Sequence, residues 1–219
     1  MNVGMSTNLD VLPLGRTDRR ALLIDAAEEL FKERAFNTVT TAEIAARAGV
    51  SYGLIAHYFT NKRGLYLACV NRVATRMRAM HDISPTGDTP AAQLREILDH
   101  KLGFVEDHPR GFITLMHDGA GPDPQVRAIT EQLRWLAVVR LLNLLGVVEP
   151  LRPSLRAAIR GWVGYLDEIA LDHLEHQELT REELVTLATA ALAAALRAAH
   201  SLDPAIGVEP TTIDTLAAS

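Results

Sequence analysis

Ser51, Tyr52, Gly53, Ala56 and His57 fall within seven residues, and their types suit contact with a duplex. A hydroxyl, a phenol and an imidazole can meet base edges or phosphates in a major groove. Other groups that could do chemistry are poorly placed for it. His173 and His176 stand three apart beside Asp172 and Glu175, which could put metal ligands on one helix face. No further ligands have the spacing of a structural or catalytic site, so a solvated acidic face is the favoured reading and no metal is expected. Asp167 and Glu168 are adjacent and point in different directions on a helix, so they cannot act as a catalytic pair. His108 and His117 are isolated, and glycine-rich phosphate cradles, nucleophile elbows and HExxH are absent. No catalytic residue and no cofactor is expected, and the chain does not read as an enzyme.

The elements that must position the Ser51–His57 set can be read on either side of Gly49. Thr40 can N-cap a helix over Thr41–Ala48, with Glu43 three residues on to complete a capping box. Gly49 stops that helix, since a left-handed cap is cheap only for glycine. Val50 can pack under the turn, and Ser51 is placed to N-cap a second helix, Tyr52–Tyr58. Ala45 sits four residues before Gly49 and Ile55 six after it. A small residue at the crossing, a glycine in the turn and an aliphatic holding the second helix are what a helix-turn-helix requires. An ordinary helical hairpin in an all-α core remains compatible with the same spacing.

The segment IAARAGVSYGLIAHYFTNKRGLY resembles the recognition segment of TetR-family transcriptional regulators, through Ile44, Ala45, Ala48, Gly49, Val50, Ser51, Gly53, Ile55, Phe59, Lys62 and Leu65. The likeness is strong over residues 19–66 and extends beyond them only as helical layout. One position departs: the tyrosine usual after the Leu/Ile, often a phosphate contact, is Ala56, which leaves His57 and Tyr58 to compensate. The resemblance implies a DNA surface made of Ser51, Tyr52, Gly53, His57 and Tyr58 with Thr40, Thr41 and Lys62. Lys62 would stand in the first turn of a helix, where a cation opposes the helix dipole unless a phosphate faces it. Arg16, Arg19 and Arg20 precede the first helix and could form a basic arm or a solvated helix start.

Charge distribution agrees with such a division. The chain of 219 residues carries a net charge of −5, but residues 16–80 hold eleven Lys and Arg against six Asp and Glu. The remainder from His81 onward holds eleven against twenty, so a basic head precedes an acidic body. Nearly half of the residues are hydrophobic, enough for a substantial core, and abundant alanine and leucine favour helices. Cys69 is the single cysteine, which rules out an internal disulfide and agrees with a reducing cytoplasm. No signal peptide is visible, and the run Leu184–Leu196 falls short of the ~20 residues of a membrane span.

These observations predict an all-α protein: a disordered leader over 1–15, a helix-turn-helix domain over 16–66, a helical ligand-binding and dimerisation domain over 67–200, and a flexible tail over 201–219. Helices are expected over Asp18–Arg34, Lys62–Met80, Ala91–Asp107, Arg110–Gly119, Gln125–Leu145, Ser154–His176 and Arg181–Ala199, with Thr60 or Asn61 capping the Lys62 helix. The last two are apolar over more than one stripe, as helices buried by several neighbours are. They suggest half of a four-helix bundle shared with a second copy, through Leu155, Ile159, Leu166, Ile169, Leu184, Leu187, Ala191, Leu192 and Ala195. A monomer core would use the same helices, and the resemblance adds weight to a homodimer. The resemblance also implies an inducer site for a small apolar ligand, with His100, Phe104, Phe112, Met116, His117, Trp135, Trp162, Tyr165 and Glu168 as candidate walls. The expected function is a repressor released from a pseudo-palindromic operator by that ligand, with repression resting on resemblance alone. A helical protein–protein adaptor and a helical enzyme with a hydrophobic cleft are the rivals.

Overall fold

Capping chemistry divides the first 70 residues into short helices. The computed structural model describes residues 16–34, 36–117, 123–148 and 150–217, so the leader over 1–15 lies outside the described residues. Helix α1 (Arg16–Glu33) buries Leu23, Ile24, Ala27 and Leu30, and one 3-10 turn (Phe36–Thr38) follows. Helix α2 (Thr41–Arg47) opens on the expected capping box: the Thr40 hydroxyl accepts from the Glu43 amide at 3.2 Å, and the Thr40 amide donates to the Glu43 carboxylate at 2.7 Å. It closes at Gly49, whose φ is +64°. The Gly49 amide donates to Ala46 O and the Val50 amide to Ala45 O, the two bonds of a Schellman cap.

Helix α3 (Gly53–Phe59) turns Ile55 and Phe59 into the same core as Leu23, Ile44 and Leu65. It is not capped by Ser51. Its N-cap is Tyr52, in helical conformation and without a side-chain cap, and the turn is closed by backbone bonds from Leu54 to Ser51 O and from Ile55 to Tyr52 O. The Leu54 amide, which a Ser51 side-chain cap would serve, is thus already taken by the Ser51 carbonyl. Helix α4 (Lys62–His81) is capped by Asn61, whose Oδ1 accepts from the Gly64 amide at 2.9 Å. Gly64 is obligatory, because a Cβ there would lie 1.9 Å from the carbonyl oxygen of Phe59.

Chain contacts separate a first unit ending at Cys69 from a second beginning at Val70, three residues beyond the expected boundary. The second unit holds the end of α4 with α5 (Pro90–Asp107), α6 (Pro109–His117), α7 (Pro124–Leu144), α8 (Pro153–His176), α9 (Arg181–Leu202) and α10 (Pro210–Ala217). Among the described residues there is no strand. Helices α8 and α9 make the most extensive pairing, tied by a hydrogen bond from the Trp162 indole to Ala188 O at 2.8 Å. Helix α9 is the one described helix long and apolar enough to cross a membrane, yet its large side chains Leu184, Leu192 and Leu196 are buried against its neighbours.

Residues 201–217 are not a loose tail, and 218–219 lie outside the described residues. Ile206, Val208, Ile213 and Leu216 are all buried, and α10 packs on α9 and α5. Two prolines hid this short element from a periodicity reading, although Pro210 stands in its first turn, where a missing amide costs nothing.

Candidate nucleic-acid interface and effector cavity

In the first unit, α3 is fixed from beneath and bare on top. Ile55 and Phe59 face inward at 3% and 7% exposure, while Tyr52 is 63% exposed. Ser51, Gly53, Ala56 and His57 are exposed with it. The Tyr52 phenol, the His57 imidazole and the Ser51 hydroxyl therefore share one outward face with two side-chain-poor positions. Gly53 has no heavy atom within 4 Å of where a Cβ would stand, so the fold does not demand glycine there. Tyr58 is half-buried against the core, edge-to-face with His57 at 4.8 Å between ring centres.

The cations of this unit are less available than their number suggests. Lys62 is turned inward: its ammonium donates to Phe36 O and stands 4.3 Å from the centre of the Phe36 ring. Burial pushes its pKa below the ordinary lysine value, with the Glu43 charge acting the other way. Arg34 pairs with Glu43 at 2.8 Å, and Arg47 with Glu29 at 3.1 Å. Arg20 lies over the Phe59 ring at 5.1 Å, and Arg19 is half-buried. The Arg16 side chain lies outside the described residues. Thr41 is half-buried, and the Thr40 side chain is occupied by the capping box. Hydrogen bonds from the Thr40 side chain and amide, helped by Arg34, hold the Glu43 carboxyl down at about 2.

In the second unit, a cavity of about 40 Å³ lies among α4, α5, α7 and α8. Its walls are mostly apolar, with Met80, Leu94, Leu98, Leu141 and Trp162 among them, and are joined by His81, Lys101 and Arg140. Lys101 is buried and donates to Asp167 Oδ1 at 2.7 Å; Asp167, only 1% exposed, also accepts from Arg134 at 3.0 Å. Arg140 donates to the carbonyls of Met80 and Ile83, closing the end of α4. A wider cleft of about 840 Å³ opens between α6 and the end of α8. Its Glu106 is already engaged by Arg181 and, at 3.2 Å, by His173.

Comparison with known proteins decides the family. Residues 23–69 match the model of bacterial regulatory proteins of the tetR family, and residues 90–195 match that of the tetracyclin repressor-like C-terminal domain. The crystal structure of a tetR-family transcriptional regulator from Streptomyces coelicolor superposes with a TM-score of 0.80 at 30% identity, covering 94% of this chain and 90% of that one. The chain belongs to the TetR family of bacterial transcriptional regulators. The HTH-type transcriptional activator FasR of Mycolicibacterium smegmatis is 31% identical over 116 residues, a match spanning 52% of this chain and 53% of FasR. The regulator FadR of Bacillus subtilis, solved in complex with stearoyl-CoA, shares the fold at a TM-score of 0.58 and 19% identity, covering 80% of this chain and 96% of FadR.

Within this TetR-family chain, most of the candidate ligand walls fall elsewhere. His100 and Glu168 are exposed, and Trp135 is 39% exposed. Phe104 stacks on His108 at 4.5 Å, Phe112 is fully buried beneath Lys101, and Met116 and Tyr165 are half-buried off the cavity wall. The His117 side chain lies outside the described residues. Trp162 is the described member of that set that lines the cavity. His81, Lys101 and Arg140 line the cavity from outside that set: His81 falls past the expected end of α4 at Met80, and no local spacing shows that Lys101 and Arg140 fold inward. The Lys101–Asp167 pair spans 66 residues and leaves no local pattern.

Several residues expected at a dimer interface are instead core. Leu155, Ile159, Leu166, Leu184 and Leu192 are at most 4% exposed within one chain. Leu187 is 42% exposed, and Ile169, Ala191 and Ala195 are half-buried. Period alone cannot tell which of several apolar stripes faces a helix's own neighbours; here the large aliphatic side chains do so. Among the described residues no three His, Cys, Asp or Glu side chains stand together as a metal site. His173 turns to Glu106, and His176 to Asp172.

Proposed function

We propose that this TetR-family chain is an effector-responsive regulator that binds a pseudo-palindromic duplex as a homodimer, most simply as a repressor. The observation that carries the reading is the outward face of α3, where Ser51, Tyr52, Gly53 and His57 stand exposed on a helix locked by Ile55, Phe59 and the Gly49 cap. Side chains on such a face read base edges, while Tyr58, Thr40, Thr41 and Arg19 serve as phosphate-backbone contacts. Lys62 acts by fixing the start of α4 through Phe36 and reaches phosphate only as a secondary role.

The homodimer surface in this reading is the small-residue face of α8 and α9: Leu187, Ala191, Ala195 and Ile169, with Gly161 and Gly164, whose absent side chains meet nothing within 4 Å. Close approach of two such faces forms a four-helix bundle. Two α3 helices then enter successive major grooves about 34–36 Å apart. An effector in the second unit favours a different head spacing, and its influence equals its difference in affinity for the two states. Stearoyl-CoA bound to FadR supports an effector role for this domain, and FasR is named an activator, so the direction of control is tested with a reporter.

Selection of bound sites from a random duplex pool tests the recognition helix. Tyr52→Ala is expected to change the selected sequence at about one position per half-site, at ~1–3 kcal/mol of discrimination. A uniform loss across all duplexes, with the preferred sequence unchanged, would refute the assignment of α3.

A further inference from the structure

The cavity among α4, α5, α7 and α8 combines apolar walls with basic groups and no carboxylate. Among the described residues, His81, Lys101 and Arg140 are its ionisable lining residues; Asp167 holds Lys101 and is not itself on the wall. A cation normally meets an apolar surface only if something else stabilises its charge. Here Asp167 does so for Lys101, and the carbonyls of Met80 and Ile83, with the nearby charges of Glu96 and Asp82, do so for Arg140. Both side chains are thus partnered from outside the cavity while lining it.

His81 joins them. Its Nδ1 is buried and has no hydrogen-bond partner. Burial first, then the charges of Arg140 and Lys101, bring its pKa down to about 4 against a weak opposing pull from Asp82, so the ring is neutral at neutral pH. Arg140 reaches the carbonyl of Met80, the residue before His81, and both line the same cavity as Lys101. In the tautomer that carries its proton on Nδ1, the unpartnered imidazole nitrogen can donate to the oxygen of an anion.

We infer that the effector is an amphipathic monoanion, a carboxylate or acidic ester with an aliphatic or aromatic body, whose charged end lies among His81, Lys101 and Arg140. Such a ligand sits against the last turn of α4, whose carbonyls Arg140 already holds. A cationic or uncharged amphiphile of the same length gains the apolar contacts and loses the charge-assisted hydrogen bonds. The cavity, about 40 Å³ and partly open, is smaller than such a body, and Met80, unbranched and flexible, is the wall residue best able to give way. This inference rests on the proposed role of the second unit in effector binding.

Calorimetric titration of the full-length protein with decanoate, decanol and decyltrimethylammonium, all below their micellar concentrations, tests it. Decanoate is expected to bind about tenfold more tightly than either other probe, the size of one or two charge-assisted hydrogen bonds. Removing Lys101 alone would leave buried Asp167 with only one of its two cations, so the paired variant Lys101→Met/Asp167→Asn is used, with Arg140→Gln as a second. The preference for decanoate is expected to shrink to about threefold or less in either, with decanol binding retained. Equal binding of the three probes, tighter binding of the cation, or no binding of decanoate overturns the inference. Duplex retention by the unliganded protein is measured alongside: its presence leaves the regulatory reading standing whatever the probes do, and its absence counts against that reading alone.

Discussion

Lys62 and Lys101 are both lysines drawn inward, one in each unit, and the fold treats their charges differently. Lys62 rests on a carbonyl and the face of the Phe36 ring, and burial depresses its pKa. Lys101 stands 5.6 Å from the Phe112 ring but is held by a buried carboxylate, Asp167, which Arg134 shares. The first arrangement asks only that a dipole and a ring accept the cation, so its loss leaves neutral groups behind. The second ties two opposite charges together in the interior, so loss of Asp167 leaves Lys101 stranded and loss of Lys101 leaves Asp167 with the partly exposed Arg134 alone. A single inward lysine thus acts as a local clamp in the first unit and as half of an ionic hub across α5 and α8 in the second.

The sharpest way to break this contrast is Lys101→Met. Thermal or denaturant unfolding is expected to show a loss of ~3 kcal/mol, the low end for breaking a buried pair, because Asp167 is left with Arg134 as its one charged partner. The paired change Lys101→Met/Asp167→Asn should recover most of that loss; failure to recover would mean the cost lies in packing instead. Next in size is Gly64→Ala, two residues on from the Lys62 clamp. Its Cβ would collide with Phe59 O, so roughly 2–3 kcal/mol is expected together with weakened duplex binding as α3 and α4 part.

Lys62→Met is expected to cost only about 1 kcal/mol, since a neutral carbonyl and ring tolerate the change. Its effect on duplex affinity should be small and equal across sequences. A large loss with a salt slope flatter by about one unit would instead place the ammonium on a phosphate. The smallest effect concerns Glu43, which feels the Lys62 charge and holds the Thr40 cap. Its folded pKa of about 2 lies below the ordinary 4.5. The stabilisation is therefore complete above that ordinary value and fades as pH falls toward the folded pKa. Glu43→Gln should flatten the acid limb of the stability profile over that window.

The parts of this fold legible in the sequence are those set by local chemistry. Thr40 with Glu43, Gly49 with Val50, and Pro90, Pro124 and Pro153 at helix starts put nearly every boundary within two residues. The outward set on α3 was legible for the same reason: once Gly49 fixes the turn, Ile55 fixes the rotation of the helix. Three features were not. Counting basic residues in the head could not show that Arg34, Arg47 and Lys62 turn to partners of their own unit. The apolar faces of α8 and α9 could not be divided between own core and partner, because several stripes satisfy the same period. Lys101 with Asp167 could not be foreseen, because a contact across 66 residues depends on how α5 meets α8.

The central claim is that α3 reads DNA from an exposed face. Footprinting on the duplex flanking the chain's own gene, at low salt, with the parent protein and with Tyr52→Ala/His57→Ala, addresses it directly. Two protected half-sites about 34–36 Å apart for the parent, and protection lost for the double variant while its fold and oligomeric state persist, are expected. No protection by the parent, or an unchanged footprint for the variant, would contradict it.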